Sequence, residues 1–98
     1  PHYSETRAHM LNVPRLSHFY GISIYMYPRD HNPPHFHVIY GEFSAQVQIS
    51  SGAIIGGGLP SRAERLVGEW LAAHRLDLFR AWVLMQEGKS TNEIAPLG

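Results

Sequence analysis

Ninety-eight residues make one modest core, because a chain this short buries only about 60 to 65% of the surface it exposes when unfolded. Apolar residues at 44% and charged residues at 16% exclude a disordered tail, and eight basic against eight acidic side chains leave no basic footprint for a nucleic-acid backbone. The absence of cysteine removes disulfides, thiolate nucleophiles and thiolate metal sites together and suits a reducing, cytoplasmic setting, while seven histidines are the one compositional excess.

Residues 1–9 read as an added or flexible N-terminal segment, since the chain starts at Pro1 and His9-Met10 looks like a cloning seam ahead of a native start. Residues 10–98 are then a single domain. No stretch has the about 18 consecutive apolar residues of a membrane helix, so no membrane association is expected. Residues 19–27 are β-branched or aromatic and read as the first strand, with Tyr20, Ile22, Ile24 and Met26 on one face and Ser23, Tyr25 and Tyr27 on the other. Three prolines between residues 28 and 34 forbid a helix there and demand a rigid loop.

A second strand over residues 35–40 runs into Gly41-Glu42, where glycine at the first central position suits a tight hairpin. Phe43, Ala45, Val47 and Ile49 then alternate with polar residues, the period of a third strand with one wet face. A short fourth strand is expected over residues 53–55, and Gly56, Gly57 and Gly58 read as a bend because they lack the spacing of a phosphate loop. Beyond Pro60 the period lengthens. Ala63, Leu66, Val67, Trp70 and Leu71 mark one helical stripe, with Ser61 and Glu64 in the spacing of a capping box. Leu78, Phe79, Trp82, Val83 and Gln86 continue the stripe to Gly88, a C-terminal stop. Two helices with a break near His74 are preferred to one kinked helix, and Ile94 and Leu97 are possible anchors of an irregular tail.

The expected fold is therefore α+β: a four-stranded antiparallel meander with two C-terminal helices packed on one face. Parity along the strands sends Phe36, Val38, Val47 and Ile49 under the helices. It sends His35, His37 and Ile39 outward, beside Tyr25, Tyr27, Gln46 and Gln48. Trp70 and Trp82 read as core, and Arg62, Arg65 and Arg75 as a solvated helix face.

Within residues 30–37 lie Asp30, His31, His35 and His37. Same-face residues on a strand are about 6.6 Å apart, from which two imidazoles converge on one ion. His35 and His37 are thus candidate ligands for a divalent metal, with His31 or Asp30 completing the shell, and candidate catalytic bases without one. A surface or purely structural role is the commoner fate of a His-x-His pair, and Asp30 and Asn32 are also good turn-capping residues.

The motifs are also familiar as a set. Phe19-Tyr20-Gly21-Ile22, Met26-Tyr27, the block from Asp30-His31-Asn32-Pro33-Pro34 to His35-Phe36-His37-Val38, Gly58-Leu59-Pro60, Trp70, His74, Trp82 and Ile94-Ala95-Pro96-Leu97 resemble the small bacterial family called domain of unknown function 4160. The resemblance runs over residues 19–97. It implies a small stand-alone protein with no established activity, often encoded beside another small protein in the manner of toxin-antitoxin pairs, and sometimes labelled a transcriptional regulator. The histidine block is similar to that of histidine-triad nucleotide hydrolases only in part, because Ile39 stands where the third histidine would be.

Three functions follow as expectations. The first is an interaction module that pairs with a second copy or a neighbour-encoded protein through the open sheet face and the loop of Asp30, His31 and Asn32. The second is a metal-assisted, ribonuclease-like hydrolase built on the histidines. The third is a transcriptional regulator, which the neutral charge and the lack of a helix-turn-helix disfavour.

Overall fold

The computed structural model describes residues 13–98; the expectation for residues 1–9 lies outside them. Five strands and one helix follow in order: β1 (Arg15–Phe19), β2 (Ile22–Tyr25), β3 (His35–Tyr40), β4 (Phe43–Gln48), β5 (Ile54–Gly57) and α1 (Ser61–Gln86). The strands form one antiparallel sheet in sequence order. The α+β class and the meander stand as expected, with one strand more and one helix fewer.

The extra strand comes from the segment expected to be one strand over residues 19–27. Tyr20 and Gly21 both take positive φ, 48° and 79°, the left-handed pair that closes a two-residue hairpin, and Phe19 pairs with Ile22 across it. Tyr20 is consequently exposed rather than in the core. Upstream, the register slips between Arg15 and Ser17, so Leu16 and Phe19 are both buried although they are an odd number of positions, three, apart. A bulge of this kind breaks the period-two signal that would have marked β1.

Gly41-Glu42 joins β3 to β4 as expected, with Tyr40 opposite Phe43. β5 is displaced toward the glycines by a register shift between Gln46 and Val47. Gly57 has φ 70°, and a Cβ there would lie 2.1 Å from the Ser44 carbonyl oxygen, so only glycine lets the two backbones approach this closely.

In place of the two expected helices, α1 is one helix whose single non-helical residue is His74 (φ −127°, ψ 19°). Neither Gly nor Pro follows to end the first half, and the chain returns to helix at once. The capping box is not formed: Pro60 is the N-cap, without a side-chain hydrogen bond. Gly88 behaves as expected. Its N–H donates to the Met85 carbonyl and that of Lys89 to the Leu84 carbonyl, the paired bonds of a glycine-terminated helix.

The buried stripe of α1 is Ala63, Leu66, Val67, Trp70 and Leu71 before the kink and Leu78, Ala81, Trp82 and Met85 after it. Val83, assigned to the stripe, faces outward instead. Against this stripe lie Leu16, Phe19, Ile22, Ile24, Phe36, Val38, Val47 and Ile49. Trp70 is central, its ring 5.6 Å from Phe19 and 5.7 Å from Phe36. Its indole N–H donates to the Ala95 carbonyl at 2.8 Å, and the Ile94 N–H reaches the Leu16 carbonyl at 2.7 Å, so the tail is pinned across β1. Arg75, expected in solvent, donates through Nε to the Ile49 carbonyl at 3.0 Å.

Candidate metal centre at the head of β3

The loop between β2 and β3 folds back onto the first residue of β3. Its Asn32–Pro33 peptide is cis, and the far end of α1 holds the loop in place. The Arg29 N–H donates to the Met85 carbonyl at 3.2 Å, and the Gln86 side-chain amide donates to the Asp30 carbonyl at 2.8 Å. Fixed at its backbone, Asp30 turns its carboxylate inward between two imidazoles. Oδ2 lies 3.0 Å from His35 Nε2 and 2.9 Å from His37 Nε2.

The parity argument sends both rings to an open face, and here it fails for one of them. The His35 side chain is 0% exposed, because Trp82 packs on its ring with centroids 5.4 Å apart while the loop closes over the strand's end. His37 keeps 14% of its side-chain surface and Asp30 13%. Tyr27 stacks on the His37 ring at 4.0 Å and 23°, fixing its plane. The centre is therefore sealed on the His35 side and opens to solvent past His37 and Asp30.

Hydrogen bonding fixes the protons. His35 Nδ1 lies 2.7 Å from the Pro33 carbonyl oxygen; a carbonyl only accepts, so Nδ1 carries hydrogen and donates. In a neutral ring this leaves Nε2 a bare lone pair. That atom is buried without a hydrogen-bond partner, and its 3.0 Å approach to Asp30 Oδ2 lacks hydrogen-bond alignment. Two electron-rich atoms face each other out of water. Such a contact is favourable only with a cation between or beside them, either a proton on Nε2 or a metal ion. At His37 the geometry is that of a hydrogen bond, Nε2–H donating to Oδ2.

The Asp30 carboxyl feels opposing influences. Burial pushes its pKa up, but the His37 hydrogen bond, the His31 N–H and the nearby His35 and His37 together hold it below the usual value of 3.8. Tyr27 is pushed above its usual 10.0 by burial first, then by the neighbouring Asp30 and Tyr25.

Asp30, His35 and His37 offer one ligand atom each, all within 4.8 Å of one another. Histidine and carboxylate ligands bind divalent metals at about 2.0 to 2.2 Å, so the edge of an octahedron is about 3.0 Å and that of a tetrahedron about 3.4 Å. The two separations from Asp30 Oδ2, 2.9 and 3.0 Å, are as short as the former, which is also the length of a hydrogen bond. The donation from His35 Nδ1 to a backbone carbonyl is the outer bond that orients a metal-binding imidazole.

His31 stands apart from the three. Its side chain is 80% exposed and its Nδ1 lies 3.0 Å from Oδ1 of Asp30, the oxygen not shared by the other rings. Asn32 is exposed. Tyr25 and Gln46 flank His37 on the neighbouring strands; Gln48 lies opposite His35 and accepts from the Ser51 hydroxyl at 2.8 Å. Sequence reasoning missed the Pro33 carbonyl, the cover provided by Trp82 and the anchor provided by Gln86. No local signal reveals the last two, which come from the far end of α1.

The family model described as "Domain of unknown function (DUF4160)" matches residues 21–83. The chain belongs to this family. No curated protein and no solved structure matches it. The DUF4160 match contains the whole centre, from Tyr27 through Asp30 and the two histidines to Trp82. No described helix is long and apolar enough to cross a membrane.

Proposed function

We propose that this DUF4160 protein is a metal-assisted hydrolase whose centre is a divalent cation held by Asp30, His35 and His37. The observation that carries the reading is His35 Nε2: buried, without a hydrogen-bond partner, and in the neutral ring the acceptor end, because Nδ1 donates to the Pro33 carbonyl. A buried lone pair beside a carboxylate is a ligand position. Two imidazoles and one carboxylate leave positions open on a six-coordinate ion. An ion there supplies a Lewis acid that lowers the pKa of a bound water toward neutrality.

The protein's part is orientation and exclusion of solvent. Pro33 sets the His35 tautomer, Trp82 keeps water from the ligand's rear face, Tyr27 holds the His37 plane, and Asp30 offsets one of the ion's charges.

Metal analysis of untagged protein loaded with manganese, iron(II) or zinc tests this directly. One ion per chain is expected, lost in His35→Ala, together with an esterase, amidase or phosphodiesterase activity abolished by chelator and restored by the ion. Protein that retains no stoichiometric ion refutes the reading.

A second reading, a module that pairs with a second copy or a neighbour-encoded partner in toxin-antitoxin fashion, draws on a different surface. Leu76 and Val83 are 63% and 54% exposed on the outer side of α1, alongside Phe79 and Leu84. Exposed apolar stripes of this kind commonly mark contact sites. Light scattering distinguishes the two: a dimer dissolved by Val83→Asp with metal uptake unchanged supports pairing, and a strict monomer with no bound partner removes it.

A further inference from the structure

Beside His37 the open face of the sheet is hollowed into a groove of about 200 Å³. It is lined by Tyr27, His37, Ile39, Ser44, Gln46 and Gly56 among others, with His37, Gln46 and Gly56 opposite one another across β3, β4 and β5. Three features define what it takes. First, among the described residues no Lys or Arg lines it, so apart from an ion held at Asp30 and His37 its side chains offer no positive charge. Phosphate oxygens are recognised by Arg, Lys, helix N-termini, clustered backbone N–H groups or a metal ion, and of the side chains among these the groove has none of its own.

Second, the Gln46 side chain offers a donor and an acceptor that match a planar amide at two points. It is half-buried and sits directly across from His37 in the register. Its carboxamide lies against Gly56, where a Cβ would come 3.3 Å from Cδ and 3.5 Å from Oε1. The missing side chain at Gly56 is what lets the carboxamide lie over β5 and leaves the groove open. Third, the lining includes a planar stack, Tyr27 on His37, of the kind that suits the flat face of an amide or other conjugated neutral group.

We infer that this groove is the substrate subsite of the metal centre and that it takes an uncharged amide-bearing group, a peptide-like segment, rather than a phosphodiester. The inference rests on the hydrolytic reading above for its chemistry and departs from the ribonuclease-like expectation for its substrate. Gln46 is the specificity-determining residue. It pairs with the substrate amide and presents it beside His37, the ligand nearest the solvent opening. The volume holds about one amide unit with its flanking carbons, so the rest of such a substrate extends over the exposed edge at Ile39 and Ser44.

The test is a pair of NMR titrations of the full chain, one with N-acetylglycinamide and one with dimethyl phosphate, each with and without zinc. N-acetylglycinamide is expected to shift the Gln46 side-chain amide and the Gly56 N–H, with at least about tenfold weaker binding in Gln46→Ala, as one lost charge-neutral pair of hydrogen bonds implies. Gly56→Ala, which pushes the carboxamide into the groove, is expected to weaken binding as well while leaving the His35 and His37 ring signals in place. Dimethyl phosphate is expected to leave the groove signals unmoved. Groove shifts with dimethyl phosphate instead, or no groove shifts with N-acetylglycinamide, overturn the inference. Zinc uptake is read separately from the His35 and His37 rings. Amide binding without zinc uptake removes the metal reading and keeps the subsite; zinc uptake without amide binding removes the subsite alone.

Discussion

The two faces of β3 are built from alternate residues of one strand, yet they are closed by different means. Phe36 and Val38 are sealed by the broad stripe of α1, one apolar surface against another. On the other face His35 is as deeply buried as they are, whereas Ile39, four residues on, is exposed. What seals His35 is a local lid made of Trp82, the loop carrying Asp30 and the hydrogen bonds that tie that loop to α1. Burial on the first face is bulk apolar area and tolerates repacking. Burial on the second encloses a carboxylate and two imidazoles, so each polar atom there must find a partner or an ion.

The contrast predicts effects of graded size. Trp70→Ala strikes the first face and is expected to cost about 3 to 5 kcal/mol in urea unfolding, the largest single loss. His35→Ala strikes the second, and its principal effect is on ion affinity. Removing a ligand should exceed the about 10- to 100-fold cost of losing an outer partner, measurable by competition with a fluorescent chelator. If His35→Ala leaves affinity intact while Trp82→Phe lowers it, the enclosure matters and the ligand assignment is wrong.

Asp30→Asn should cost about 2 kcal/mol in metal-free protein near neutrality, the range for hydrogen bonds to charged groups. Because the folded state lowers the carboxyl's pKa, its stabilising effect is full above the ordinary carboxylate range and is lost as the pH falls through the lowered value. The wild type and Asp30→Asn should therefore differ most above the ordinary carboxylate range and converge as the pH falls below the lowered value. A difference that grows toward acid would contradict the arrangement.

Two smaller effects serve as controls. Gly68 is exposed in the first half of α1, and a Cβ added there would meet nothing within 4 Å, so Gly68→Ala should stabilise the fold by about 1 kcal/mol and leave ion affinity unchanged. Ile39→Thr, at the open end of the second face, should change stability by no more than about 0.5 kcal/mol. A larger loss would mean that this end is covered in solution.

The sequence by itself determined the elements whose signals are local. Alternation from Phe43 to Ile49, the Gly41-Glu42 turn, the helical stripe from Ala63 and the stop at Gly88 each follow from one residue's conformational range or from a period repeated over several residues. The resemblance carried by the histidine-proline block was legible too, as was the proximity of Asp30, His31, His35 and His37. Where a bulge or a left-handed pair interrupted the period, as at Leu16 and at Tyr20-Gly21, the pattern misled. Tertiary structure alone decided that His35 is enclosed, that its Nδ1 is claimed by Pro33, and that Asp30 rather than His31 joins the two rings. The reason is physical: strand parity chooses a side of the sheet, but only the packing of chain distant in sequence, here Trp82 and Gln86, decides whether that side meets water.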